Sequence, residues 1–366
     1  MNRRALTNLM PPLHVSAAMA FTNQDALLAV IDNAMAERRK ADVDDWLAIA
    51  HEYAQNVLTT PPGALINNLA LDIMELGAAL KRNRRHQARK DLLRASSEVA
   101  VYMAMELGDL GYLGHTYHSF ATATGAADHS GDRSLGTWIR ARRAARALWE
   151  EYAWTSVMRL VDEAVEHSEG VPGPGLATAL ETRVKLLAAQ QNAEAAESGL
   201  NELRRVFAAL PDEVTEDQIS ARGWPEHNLR FTEAFVYSHL GDTKRAHTAI
   251  DQALELCPEE KAGGRANLQL LRAITLVHER EVLEGLMLAV TTCRFVPSTA
   301  ARRRLVAELF GILPDAEACT HPAVDELEVL TAPHYQDILD ERFVAETLEA
   351  VTRLDPSLFL PDTTDS

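Results

Sequence analysis

One stretch constrains the fold more than any other. In residues 230–258, two apolar helical patterns flank a Gly241-Asp242 turn. Ahead of the turn stand Ala234 and Tyr237. Beyond it Ala246, Ile250 and Ala253 run small, large, small at i, i+4 and i+7, and Pro258 stops the pattern. Small side chains where two helices cross let the backbones approach, and bulkier neighbours fill the grooves beside them. The spacing therefore predicts a tight antiparallel helical hairpin.

The same layout returns along the chain. With Tyr152 in the turn, Ala145, Leu148, Val157, Val161 and Ala164 take the corresponding places. With Gln191 there, Leu187, Ala196 and Leu200 do so, and with Arg280 there, Ala273, Leu276, Gly285 and Ala289. With Gly108 there, Val101 and Tyr117 fit, but Leu113 and Phe120 fall where small residues are expected. A tetratricopeptide unit is two antiparallel helices in about 34 residues with this kind of layout. Here the spacing is irregular and mostly longer, with linkers at 128–133 and 211–225 inserted. The expectation is an all-α fold, an α-solenoid of tetratricopeptide-like hairpins. The competing reading is a helical bundle in which alanine-rich helices match the frame by coincidence.

Composition agrees with helix. Hydrophobic residues make up 47% of the 366, which is ordinary for a globular chain. Alanine and leucine dominate, and alternating β-branched runs are nearly lacking. Three domains are expected: a linker-like segment at 1–22, the solenoid at 23–355 and a disordered acidic tail at 356–366. Within the solenoid, helical spacing runs from residue 23 to 80 with a break at Pro61-Pro62-Gly63, followed by a helix from about Ala64 and another from about Arg84 to Met105. Residues 343–354, with Phe343, Thr347, Leu348, Val351 and Leu354 as a stripe, are expected to cap the stack.

The formal net charge of −17 disfavours binding to phosphate backbones. Cys257, Cys293 and Cys319 form no C-x-x-C pair, so the expectation is buried free thiols in a reducing cytoplasm. Arg3 and Arg4 before Leu6, Leu9 and Met10, with Ala18-Met19-Ala20 beyond, resemble an export signal, but Pro11, Pro12 and His14 interrupt its apolar part. No apolar run reaches the about 18 residues a membrane span needs. A cytoplasmic protein is expected.

Residues 224–242, WPEHNLRFTEAFVYSHLGD, resemble a recurring segment of actinobacterial helix-turn-helix regulators of the XRE type, whose C-terminal part is a tetratricopeptide-like sensor. Residues 46–72, with Tyr53, Pro61-Pro62 and Leu65, are similar to the start of that sensor, and Asn2-Arg3-Arg4 to the linker ahead of it. No helix-turn-helix pattern precedes Asp25, so the resemblance implies a sensor or adaptor without its own DNA-binding domain, and direct DNA binding is not expected.

A solenoid of this kind offers a concave face lined by the first helix of each hairpin. The frame assigns to it Glu98 and Tyr102; Arg142, Arg146 and Trp149; Glu181 and Lys185; Asn228, Phe231, Phe235 and Ser238; and Asn267, Leu270 and Ile274. The expected ligand-binding set is Tyr102, Arg142, Arg146, Trp149, Lys185, Asn228, Phe231, Phe235 and Asn267. Amides pair with peptide backbone, arginines grip carboxylates and aromatics anchor, so a peptide or small-molecule ligand, or a protein partner, is expected. Self-association as a homodimer stays open. The alternative reading is a scaffold for enzymes or a precursor peptide of specialised metabolism.

Other features carry less. Lys81, Arg82, Arg84, Arg85, Arg89, Lys90 and Arg94 would place Arg82, Arg85 and Arg89 on one helical face, a docking patch or a solvated surface. His115 and His118 share a helical face, and Asp109, Asp128 and His129 lie near in sequence, but no motif supplies a third metal ligand. His51-Glu52 lacks the second histidine of H-E-x-x-H, and no nucleophile elbow or phosphate-binding glycine loop is present. No catalytic residue, metal or cofactor is assigned.

Overall fold

The computed structural model describes residues 43–332 apart from 84, 151 and 315. Among the described residues every regular element is a helix. α1 spans Val43–Asn56 and α2 Ile66–Arg82. Next come three hairpins: α3 (His86–Asp109) with α4 (Leu113–Ser130), α5 (Arg133–Trp149) with α6 (Trp154–Ser168), and α7 (Pro174–Ala189) with α8 (Ala193–Phe207). After the single turn α9 (Asp212–Thr215), α10 (Glu226–His239) pairs with α11 (Thr243–Leu256) and α12 (Ala262–His278) with α13 (Val282–Arg294). α14 (Ala300–Gly311), α15 (Ala316–Cys319) and α16 (Pro322–Thr331) complete the described part. From Trp46 onward these residues lie in one compact unit. The expected segments 1–22, 343–354 and 356–366 lie outside the described residues.

The hairpins share one turn. A residue with positive φ sits two places after the first helix: Gly111 (88°), Gln191 (59°), Gly241 (71°) and Arg280 (71°). Its amide bonds back three residues, and the next amide bonds back five. The second set is Tyr112 to the Leu107 carbonyl, Asn192 to Leu187, Asp242 to Tyr237 and Glu281 to Leu276, at 2.9–3.0 Å. This is the Schellman arrangement, which satisfies carbonyls that a helix end would otherwise leave unpaired. Tyr152 bonds back to Ala147 at 3.2 Å in the same way, with one extra residue before α6. Asp242 and Asn192 then cap the following helices through the amides of Arg245 and Ala195.

Three of the turns expected from the sequence, at Gln191, Gly241 and Arg280, thus fall in place, and Tyr152 lies in a fourth. The Gly108 turn does not. α3 continues to Asp109, and the turn glycine is Gly111. Shifting the frame by three removes the misfit, because Thr116, Phe120 and Ala123 then form the small-large-small series, all of them buried. Gly108 is instead a close approach: a Cβ there would lie 2.1 Å from the Arg146 guanidinium.

Ala246, Ile250 and Ala253 are fully enclosed or nearly so, as are Ala196, Leu200 and Ala289. Each large aliphatic side chain so buried contributes about 1.5–3 kcal/mol. At Gly285 the backbones meet closely enough that a Cβ would lie 2.8 Å from the Ala273 carbonyl oxygen. The first helices pack in succession, α5 on α7, α7 on α10, α10 on α12 and α12 on α14, and α14 reaches back to touch α5.

The basic run is divided rather than continuous. α2 stops at Arg82 and α3 starts at His86, so Arg82 does not share a helical face with Arg85 and Arg89. Arg89 donates to the Leu80 carbonyl, and Arg94 pairs with Asp132 at 3.2 Å. Cys257 and Cys293 are buried free thiols, but Cys319 is exposed.

Candidate functional site

Spacing of three and four residues puts Trp149 on α5, Lys185 on α7, and Phe231 and Phe235 on α10 along the faces where these helices meet. The structure brings the four together. The Lys185 ammonium lies 4.4 Å from the centroid of Phe231, 5.5 Å from Trp149 and 5.7 Å from Phe235. A cation gains from such faces because each ring carries negative potential above its plane. Lys185 also pairs with Glu181, one turn earlier on α7. Trp149 meets Phe235 edge to face at 5.8 Å. Trp149, Phe231 and Glu181 keep part of their surface open, while Lys185 and Phe235 are buried.

Behind this cluster lies a group that the frame does not assign. Phe235 stacks on His239 with centroids 3.7 Å apart. The His239 ring places Nδ1 2.8 Å from the Phe235 carbonyl and Nε2 2.6 Å from Glu308 on α14. Glu308 also accepts from Arg304 at 2.7 Å. Burial works against ionisation of Glu308, but His239 and Arg304 outweigh it and hold its carboxyl below the usual range. His239 continues the Phe231, Phe235 spacing by one more turn, and that was its signal in the sequence. Ser238, assigned to the groove, instead meets Thr275 at 3.0 Å, buried between α10 and α12. Leu270 and Ile274 are likewise buried.

The other assigned residues take other partners, although the Glu181 charge also bears on Arg142. Tyr102 is wholly enclosed, edge-on to Trp138 at 6.1 Å, and its hydroxyl donates to Glu98 at 3.4 Å. Burial, then the Glu98 charge, pushes its phenol well above the usual range. Arg142 lies over the other part of that surface, 5.5 Å from Trp138, and donates to the Ala221 carbonyl at 2.9 Å. Desolvation lowers its pKa.

Ala221 belongs to the stretch expected to be a plain linker. Residues 216–225 instead fold against the first helices. The Ala221 amide donates to the Ala54 carbonyl at 2.7 Å, and Arg222 sits 4.8 Å over Trp138 and 3.8 Å from Glu98. Asp217 holds the loop through the amides of Ile219 and Ser220, and at Gly223 a Cβ would collide with the Asp217 carbonyl at 2.1 Å. The chain itself therefore covers Tyr102 and one side of Arg142.

Arg146 bonds Asp109 at 2.7 Å and the Met105 carbonyl at 3.2 Å, and its Nε lies 2.7 Å from Glu150. Asn267 approaches Arg302 at 3.5 Å, and Arg302 is held by the Pro297 and Gly263 carbonyls. Asn228 is partly exposed one turn ahead of Phe231. The histidine pair on α4 gathers no third ligand: no group of three metal-binding side chains occurs among the described residues. No described helix is long and apolar enough to cross a membrane.

Comparison of the chain with protein-family models, curated proteins and solved structures gave no match.

Proposed function

We propose that this chain is a non-catalytic sensor or adaptor that binds a short peptide or small molecule along the face of its first helices. The observation that carries the reading is the convergence of Trp149, Phe231 and Phe235 from two helices on Lys185 of a third. A partly open aromatic surface around a buried cation suits an extended ligand that ends in a carboxylate, which can take up the charge now met by Glu181. The repeated Schellman hairpins and the succession of first helices support a tetratricopeptide-like solenoid as the frame. The resemblance of residues 224–242 to the sensor part of XRE-type regulators supports a regulatory output through a partner.

His239 and Glu308 give that output a route. They join α10 to α14 directly behind Phe235, so a ligand that moves Phe235 bears on the α14 contact. The test is a thermal-shift screen with pools of short peptides carrying free or amidated C termini. A rise in Tm with free-carboxylate pools, lost in Phe231→Ala, supports the reading. Equal shifts in wild type and variant, or none with any pool, overturn it.

A further inference from the structure

A cleft of about 170 Å³ lies between α4, α5 and α6. Among the described residues its wall carries Arg143, Arg146 and Arg159 against one carboxylate, Glu150, with the exposed Tyr117 and Tyr152 beside them. In a chain of net charge −17 this is an unusual local balance.

The three arginines differ in their bonding. Arg146 is neutralised by Asp109 and Glu150. Elsewhere Arg140, Arg183, Arg245 and Arg272 all reach carboxylates. Among the described residues no carboxylate pairs with Arg143 or Arg159. Arg143 instead lies 5.1 Å over the ring of Tyr117. Two guanidinium groups that no described carboxylate pairs, at one cleft, attract an anion, and a guanidinium offers its donors in a fork that fits carboxylate and phosphate oxygens.

The aromatic groups define the rest of the ligand. Tyr117 and Tyr152 are 49% and 40% exposed, so each offers ring surface that the fold has not used. Phe120, Ala147 and Leu160 form an apolar floor beneath them. Planar groups stack on such rings, and the cleft is smaller than the roughly 300–1,000 Å³ of sites for drug-sized ligands. We infer that this cleft binds a small organic anion bearing a planar ring, an aryl carboxylate or aryl phosphate, with the anionic group on Arg143 and Arg159 and the ring against Tyr117 and Tyr152.

The experiment is calorimetric titration of the full chain with phenylacetate, phenyl phosphate, inorganic phosphate and benzyl alcohol. At least one aryl anion should bind with a Kd of about 1 mM or tighter, and inorganic phosphate and benzyl alcohol at least about tenfold more weakly. Which aryl anion binds better distinguishes carboxylate from phosphate. Arg143→Gln and Arg159→Gln should each weaken binding about tenfold, Tyr152→Leu should weaken the aryl anions alone, and Arg183→Gln should change nothing. These positions are exposed or half-exposed, and circular dichroism checks that each variant folds. The inference is overturned if neither aryl anion binds, if the double arginine variant binds as wild type does, or if inorganic phosphate matches phenyl phosphate.

Discussion

The side-chain amide of Gln191 donates a 2.8 Å hydrogen bond to the backbone carbonyl of His239. The turn residue of the α7–α8 hairpin thereby satisfies a carbonyl at the end of α10, and the bond links one hairpin to the next. It also accounts for a non-glycine residue at φ 59°, since the bond offsets part of the strain.

Arg280 occupies the equivalent place at φ 71°, and among the described residues its side chain makes no such bond. Arg280→Gly is expected to stabilise the chain by about 0.5–1 kcal/mol by removing left-handed strain. Gln191→Gly gains the same relief but loses the bond to His239, so it should be close to neutral. Gly241→Ala should destabilise by about 1 kcal/mol. Urea denaturation of the three variants checks the order.

Close backbone approach sets a second expectation. At Gly175, near the start of α7, a Cβ would lie 2.6 Å from the Trp138 backbone nitrogen and 2.8 Å from Thr137 Cγ2. Gly175→Ala should cost about 1–3 kcal/mol, because a backbone atom cannot swing away. Gly173→Ala meets nothing within 4 Å and serves as the control.

The loop at 216–225 supplies a third. Arg142→Leu removes the charged donor to the Ala221 carbonyl, a bond worth about 1.5–3 kcal/mol. The Ala221 amide, now held by Ala54, should then exchange with solvent about 10–100-fold faster. Hydrogen exchange read at that amide checks it, and amides within α11 should be unaffected.

Acid should weaken the fold through His227. Burial, then the Lys261 ammonium 3.3 Å away, pulls its pKa down to about 4. The unfolded chain takes up this proton near its usual value of about 6.5, so between those values the unfolded state binds more protons. Stability is therefore complete above that window and falls as pH drops through it. At pH 4.5 the loss from this group is about 2 kcal/mol. His227→Gln should shrink the difference between the unfolding free energies measured in urea at pH 7 and 4.5 by a comparable amount.

The hairpins were legible because their turns and crossings are local. Gly241 with Ala246, Ile250 and Ala253 encodes one hairpin within a single window. Gly108 misled because it is small for a different reason, the approach of Arg146, and Gly111 alone takes the turn conformation. The site was only half legible. Trp149, Lys185, Phe231 and Phe235 follow from helical spacing, whereas Glu308 reaches His239 across 69 residues. The covering of Tyr102 and Arg142 by residues 216–225 depends on long-range loop packing that no periodicity announces.

Ligand binding at the surface around Lys185 is tested most directly by selection from a random heptapeptide library. The library is presented with free carboxyl termini to immobilised wild type and to Lys185→Met. Wild type should enrich a defined sequence class whose binding fails on C-terminal amidation and weakens at least about tenfold in Lys185→Met, consistent with loss of a charge-assisted bond. No enrichment on wild type, or enriched peptides that bind Lys185→Met equally well, would contradict the account.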